Sequence, residues 1–257
     1  MEKDKQEKSE LKKIIEEITE KPHKRTQPKP LTLQEIHLAT QKRLSLIHKE
    51  FSEGFEFIKK YQKSVTFFGG AKTTSDNPYY IKARELSKKI VAELGYTVVS
   101  GGGPGIMEAA NRGAFEMGGK SIGINIELPH EQTLNPYITE HKDFYYFFTR
   151  KVCLSFSAEA FIFFPGGFGT LDELLELITL VQTKKIPKVP IILVGSDFWN
   201  EFDSFVKKTL LSRGNIEQKD SEIYTIEDDE EKIIKIIKNA PIRNGERYHY
   251  KEKKISK

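Results

Sequence analysis

A glycine-rich stretch, Pro165–Glu173 (Pro-Gly-Gly-Phe-Gly-Thr-Leu-Asp-Glu), follows an apolar run and leads into a helical pattern. Glycines let the backbone approach an anion closely, and the free N–H groups of a first helical turn are donors suited to negative charge. Glu173 would then lie about one turn into the helix. The same stretch is also consistent with a plain turn and a Thr-x-x-Glu capping box. Four of its residues are predicted to bind a phosphate: Gly166, Gly167, Gly169 and Thr170.

A second glycine-rich loop, Gly101–Gly105, follows a strand-like run and precedes another helical pattern. It lacks the dinucleotide-binding fingerprint G-x-G-x-x-G, because the third glycine position is Ile106 in one register and Glu108 in the other. A Walker phosphate loop is excluded as well, since no Gly-Lys-Ser/Thr follows the required spacer.

Taken with the sequence between them, the two loops resemble the Lonely Guy (LOG) family of phosphoribohydrolases. The resemblance covers roughly residues 65–199 and rests on three ordered segments, Gly101–Ala114, Phe147–Lys151 and Pro165–Glu173. One departure lies in an earlier loop, where the family commonly has Gly-Ser-x-Arg and this chain has Gly-Gly-Ala-Lys ending at Lys72. Lys72 keeps the positive charge of the family's arginine but lacks its planar guanidinium, which binds a phosphate or base through two hydrogen bonds. The role of Lys72 therefore stays open.

The resemblance implies an enzyme that cleaves the N-glycosidic bond of AMP or a cytokinin riboside 5′-monophosphate, giving free base and ribose 5-phosphate. It also implies a homodimer or larger homo-oligomer with the site near a subunit interface. Family members often carry the name lysine decarboxylase, which we reject because neither glycine loop supplies the pyridoxal phosphate chemistry of a decarboxylase. Two other classes stay open: a non-catalytic nucleotide-binding or sensing protein, and an oligomerisation protein whose glycine loops are only turns.

Glycosidic cleavage builds positive charge on the ribose, so a nearby carboxylate stabilises the transition state more than the ground state. Glu173 is the predicted catalytic carboxylate, acting on the developing oxocarbenium and ribose hydroxyls or orienting the attacking water. The resemblance implies that Arg150 is the second catalytic residue, holding the phosphate or stabilising negative charge on the leaving base. The alternative for Arg150 is a charge exposed to water near a helix N-terminus.

Four further residues are expected at the substrate. Gly102 and Gly103 are assigned to the ribose or base side, and Glu108 matches a helix-borne acid of the family. A carboxylate near the positive end of a helix is, however, stabilised there without a ligand. Lys151 is either a second ligand contact or a solvent-facing lysine.

Composition indicates a soluble enzyme. With 257 residues, 38% of them hydrophobic, the chain can bury a substantial core. Its single cysteine, Cys153, excludes an internal disulfide and fits a reducing compartment. The N-terminus is too charged for a secretory signal, and no apolar run approaches the roughly 20 residues that cross a membrane. We therefore expect a cytoplasmic protein without membrane contact.

The formal net charge of +4 arises at the two ends of the chain. Residues 1–30 hold nine Lys/Arg against seven Asp/Glu, and residues 241–257 hold six against two, which leaves 26 against 28 for residues 31–240. A nucleic-acid-binding protein more often carries a basic stripe on its folded body. We therefore expect a flexible charged tail at 1–30, a catalytic domain at 31–240, a basic tail at 241–257 and no nucleic-acid partner.

Neither a metal nor a cofactor is expected. One cysteine cannot complete a zinc site, and no paired ligand spacing is found among the six histidines, His23, His37, His48, His130, His141 and His249. An aromatic run, Tyr145–Phe148, is consistent either with stacking on a purine or with buried packing.

Short apolar runs alternate with helical stretches along the chain. Strands are predicted near Val65–Phe68, Thr97–Val99, Ile122–Ile126, Ala160–Phe164, Ile191–Val194 and Ile223–Ile226. Helices are predicted near Leu33–Tyr61, with a break at Gly54, and near Pro78–Glu93, Gly105–Met117, Arg150–Ser157, Leu171–Thr183, Phe198–Leu211 and Asp228–Asn239.

This alternation predicts an α/β fold, a Rossmann-like doubly wound parallel sheet with helices on both faces, as a single domain with an N-terminal helical extension. Right-handed crossovers gather the loops after the strands at one edge of such a sheet. The loops at Gly69, Gly101 and Gly166 are therefore expected to share one crevice.

Overall fold

The computed structural model describes residues 31–127 and 134–242. The predicted tail at 1–30 and nearly all of the one at 241–257 lie outside these ranges. Contacts divide the chain into two compact units, residues 1–45 and 46–257. In the first unit, the described residues begin a helix whose first turn is closed by a reciprocal capping box between Thr32 and Glu35. The predicted boundaries at residues 30 and 240 stay predictions.

The second unit is built on a seven-stranded parallel sheet with the strand order β4-β3-β2-β1-β5-β6-β7. The strands are β1 Ser64–Phe68, β2 Thr97–Ser100, β3 Ser121–Ile126, β4 Glu140–Phe144, β5 Ala160–Phe163, β6 Ile191–Leu193 and β7 Thr225–Ile226. The order reverses between β1 and β5, which places a topological switch point at the centre of the sheet. The predicted doubly wound α/β fold is confirmed.

A short 3-10 helix, Gln218–Glu222, precedes β7. Seven α-helices precede, separate or follow the strands in the described part of the chain. They are α1 Leu33–Ile58, α2 Pro78–Lys89, α3 Ile106–Glu116, α4 Phe147–Ser155, α5 Phe168–Gln182, α6 Ser196–Phe205 and α7 Glu230–Lys238. Single π-turns continue α2 to Leu94 and α6 to Leu211. No helix among the described residues is both long and apolar enough to cross a lipid bilayer.

Two hydrophobic clusters cover the two faces of the sheet. Along β5, Phe161 and Phe163 belong to one cluster while Ala160 and Ile162 belong to the other, because successive side chains of a strand point to opposite faces. The first cluster includes residues of α4, α5 and α6 and the end of α1, and the second includes residues of α2, α3 and α7. Helices therefore cover both faces, as predicted.

The predicted break at Gly54 is wrong, because α1 runs without interruption through this residue. Gly54 is buried, and a Cβ atom there would lie 2.6 Å from Cys153 Sγ and 2.8 Å from Phe144 Cζ. The glycine thus serves close packing of α1 against α4 and β4, not a turn.

Candidate active site

The three glycine loops follow β1, β2 and β5, which are neighbours in the centre of the sheet. The amide of Gly70 donates to the carbonyl of Pro165 at 2.9 Å, and the carbonyl of Gly70 accepts from the amide of Ile106 at 3.1 Å. The loop after β1 therefore joins the other two, and all three lie together at the carboxyl edge of the sheet, as expected.

Gly105 makes this contact possible. Its backbone has φ +71° and ψ −130°, a region open to glycine alone among the common residues. A Cβ atom at this position would lie only 2.2 Å from the carbonyl oxygen of Gly70. The chain therefore turns into α3 with its backbone directly against the loop after β1.

A buried polar network fixes the loop after β2. Asn135 donates from its backbone amide to the carbonyl of Gly102 at 3.0 Å, and its side-chain amide lies 3.1 Å from the carbonyls of Gly102 and Gly103. The same amide lies 2.9 Å from Asn111 Oδ1, which also accepts from the Ser100 hydroxyl at 2.6 Å. The predicted contact of Gly102 and Gly103 with ribose or base stays a prediction. Sequence analysis missed Asn135, which lies outside both glycine motifs.

The start of α5 has the form of an anion site. Gly167 is the N-cap residue, and no side chain in the described part of the chain caps it. A Cβ atom at Gly167 or Gly169 would meet no atom within 4 Å, so both face open space, whereas Thr170 is buried at 8% exposure. The capping-box alternative is wrong, because Thr170 is the third residue of α5 and not its N-cap. The first-turn N–H groups have no partner within the helix and are available to an anion.

Arg150 extends from α4 beneath the loop after β2. Its Nε donates to the carbonyl of Ile124 at 2.9 Å, and a Cβ atom on Gly101 would lie 2.5 Å from its Nη2. Burial lowers the pKa of the Arg150 guanidinium, and the charge of Glu173 acts in the opposite direction. The alternative of a water-exposed helix charge is therefore wrong for Arg150, which points into the site.

Glu173 lies on the second turn of α5 and is partly buried. Burial raises the pKa of its carboxyl to about 7, although the charges of Arg150 and Lys151 lower it; Glu176 and Asp172 add smaller upward contributions. A carboxyl that titrates near neutral pH is typical of groups that transfer protons or stabilise charge in catalysis. The structure thus brings together the two residues predicted to be catalytic.

Lys151 has carboxylate partners. Its Nζ lies 2.7 Å from Asp172 Oδ2 and 2.7 Å from Glu176 Oε2, both on α5. The solvent-facing alternative for Lys151 is wrong, since four-fifths of its side chain is covered. Its predicted contact with substrate stays a prediction.

Glu108 has a protein partner, whereas Lys72 faces solvent. Glu108, in the first turn of α3, accepts a hydrogen bond of 2.8 Å from the hydroxyl of Tyr80. Its ligand role stays a prediction. Lys72 is exposed in the loop after β1. Among residues 31–127 and 134–242, no group of three or more His, Cys, Asp or Glu side chains is placed to hold a metal ion.

Comparison with known proteins agrees with the resemblance of the sequence to the LOG family. A family profile described as "Possible lysine decarboxylase" matches residues 107–237. The cytokinin riboside 5′-monophosphate phosphoribohydrolase LOG of Oryza sativa subsp. japonica is 35% identical over 151 residues, which are 57% of this chain and 61% of that protein. LOG1 of Arabidopsis thaliana, with the same description, is 30% identical over 155 residues, which are 60% of this chain and 72% of that protein.

Solved structures agree with the fold. The X-ray structure of TM1055 is 26% identical, with a TM-score of 0.52 over 68% of this chain and 98% of that one. The molybdenum cofactor carrier protein MCP from Chlamydomonas reinhardtii is 22% identical, with a TM-score of 0.53 over 68% and 96% of the two chains, and shows likeness of fold alone. With its profile match over residues 107–237 and its identity to the plant proteins, the chain belongs to the LOG family.

Proposed function

We propose that this protein is a nucleoside 5′-monophosphate phosphoribohydrolase, which hydrolyses AMP or a cytokinin riboside 5′-monophosphate to free base and ribose 5-phosphate. The observation that carries the proposal is a partly buried Glu173 carboxyl within electrostatic range of the Arg150 guanidinium, beside three joined glycine loops. Relatives named as phosphoribohydrolases, at 30–35% identity, support the substrate class.

The 5′-phosphate binds at the start of α5. The first-turn N–H groups and the Thr170 hydroxyl donate to its oxygens, and the positive end of the helix dipole favours its charge. This places the sugar over the second turn of the same helix, where Glu173 lies.

In the reaction, the bond between C1′ of the ribose and the base nitrogen breaks, and its electron pair leaves with the base. Water adds hydroxide to C1′, and its remaining proton ends on the released base. Burial leaves the Glu173 carboxylate poorly solvated, so it interacts strongly with positive charge developing on the ribose. Arg150 keeps its charge and offers fixed N–H donors to the phosphate or to the leaving base.

The test is hydrolysis by the purified protein of AMP and of isopentenyladenosine monophosphate, with free base and ribose 5-phosphate followed by chromatography. We expect release by the wild type, loss of release in Glu173→Gln, and normal release in the matched control Glu201→Gln, an exposed carboxylate on α6. The two substrates rank the preferred base. Tight nucleotide binding by the wild type without release would instead support the sensing alternative. Absence of both binding and release would contradict both functions and leave only the fold assigned.

We also propose that the protein acts in the cytoplasm as a homodimer or larger homo-oligomer. Exposed apolar side chains on α5, Phe168 at 92% and Leu175 at 48%, support an association surface on this helix. Sedimentation of the full chain, compared with a Leu175→Glu variant, tests it: we expect the variant to dissociate, and a monomeric wild type would contradict the proposal.

A further inference from the structure

The second half of α1 packs along the whole length of α4, the helix that carries Arg150. Phe51 lies against Phe148 near the start of α4, with ring centroids 6.2 Å apart. Phe55 lies edge-on to Phe156 at the other end, with centroids 5.8 Å apart. Gly54 between them is pressed against Cys153. The position of α4 therefore depends on α1, which precedes the residues matched by the family profile.

Glu50 extends this contact to the N-terminus of α4. Its carboxylate accepts from the amide of Tyr145 at 2.6 Å and from the amide of Tyr146 at 3.2 Å. It also accepts from the hydroxyl of Thr149. Tyr146 is the N-cap residue of α4, and its own side chain makes no capping hydrogen bond. Glu50 therefore supplies the cap from a different helix, and its negative charge lies at the positive end of α4.

Thr149 directly precedes Arg150, so the hydrogen bonds to Glu50 hold the helical turn from which the Arg150 guanidinium extends. At the other end of the side chain, Arg150 Nε is fixed on the carbonyl of Ile124. A shift of the first turn of α4 would thus pull the guanidinium away from Ile124 and from the loop after β2. We propose that Glu50 is a positioning residue, which caps α4 from helix α1 and thereby holds Arg150 in the candidate active site.

The catalytic consequence rests on the proposed function, whereas the positioning itself can be observed without turnover. The variants are Glu50→Ala, which removes the cap, and Glu50→Gln, which keeps one acceptor oxygen but loses the charge. Glu53→Gln is the matched control, because Glu53 lies one turn along α1 and pairs with Lys142 on the edge strand at 2.5 Å.

Two readouts are followed by NMR: the amide exchange of Tyr145 and Tyr146, and the Nε–H resonance of Arg150. The Arg150 resonance is assigned by its disappearance in Arg150→Lys.

We expect amide exchange at Tyr145 and Tyr146 to accelerate roughly tenfold or more in Glu50→Ala, since each lost hydrogen bond is charge-assisted. The Arg150 Nε–H resonance should move, and kcat for AMP should fall roughly ten- to hundredfold with a smaller change in KM, measured well below the melting temperature. Glu50→Gln should fall between wild type and Glu50→Ala, and Glu53→Gln should match wild type in all three readouts.

The proposal is overturned if the Arg150 resonance stays in place in both Glu50 variants, or if their kcat equals that of Glu53→Gln. If Glu50→Ala does not fold, Glu50→Gln decides the outcome alone. If wild type shows no hydrolysis, the proposed function fails, while the amide exchange and the Arg150 resonance still decide whether Glu50 positions Arg150.

Discussion

The ammonium of Lys151 on α4 lies 2.7 Å from Asp172 on α5, the residue directly before Glu173. It lies equally close to Glu176, less than one turn beyond Glu173. Glu173 is therefore flanked by two carboxylates that share one lysine, which offsets about half of their charge. Because that lysine is next to Arg150 in sequence, the same pair of neighbours supplies both cations that lower the pKa of Glu173.

Replacing Lys151 should therefore act through charge. We expect Lys151→Met to raise the pKa of Glu173 above about 7, because it removes a favourable cation and leaves Asp172 and Glu176 uncompensated. The triple variant Lys151→Met, Asp172→Asn, Glu176→Gln should bring the pKa back towards that of wild type. Carbon-13 NMR titration of labelled glutamate measures both. An unchanged pKa together with a much larger KM for AMP would instead establish Lys151 as a direct substrate contact.

The proposed role of Glu173 predicts how turnover depends on pH. In the proposed reaction the carboxylate form stabilises the ribosyl cation, and this form is populated above the pKa of Glu173, about 7. We expect kcat/KM for AMP to rise about tenfold per pH unit below about pH 7 and to level off above it. Initial rates from about pH 5 to about pH 9 check this. A flat profile across that range would show that the ionisation of Glu173 does not limit turnover.

The same pKa predicts that removing the charge stabilises the protein. Folded Glu173 binds a proton more tightly than unfolded glutamate, so its contribution to stability is present below about pH 4.5 and is lost as pH rises through about 7. We expect Glu173→Gln at pH 8 to be more stable than wild type by about 2–3 kcal/mol, allowing for the partial exposure of the carboxyl. Urea denaturation at about pH 8 and about pH 4.5 measures the difference, which should vanish at the lower pH.

The succession of strands and helices along the chain could be predicted because the central strands are continuous apolar runs, as buried parallel strands usually are. Strand β4 was missed for the opposite reason. It lies at the sheet edge, its residues Glu140–Lys142 are exposed or half-buried, and its sequence Glu-His-Lys-Asp-Phe lacks an apolar run. The sequence pattern predicts the start of α4 three residues late, at Arg150 instead of Phe147, because its cap comes from Glu50, far away in sequence.

The candidate site was predictable where one short segment contains the whole feature. The loop that begins α5 and the position of Glu173 belong to a single motif, and so their arrangement follows from local geometry. Contacts between residues far apart in sequence leave no such pattern. Asn135 hydrogen-bonds to Gly102, and Lys151 forms ion pairs with Asp172 and Glu176. These contacts depend on how the strands and helices pack, which the spacing of residues does not specify.

Gly105 offers a direct test of how the loops are joined. We expect Gly105→Ala to lower the free energy of unfolding by about 2–4 kcal/mol, because alanine is strained at φ +71° and its Cβ would meet the Gly70 carbonyl at 2.2 Å. Gly167→Ala is the matched control, since φ is −91° there and the space for a Cβ is open. Urea denaturation of both variants should give a large loss for Gly105→Ala and a change within about 1 kcal/mol for Gly167→Ala. Equal losses in the two variants would mean that the contact between Gly105 and Gly70 does not hold the loops together.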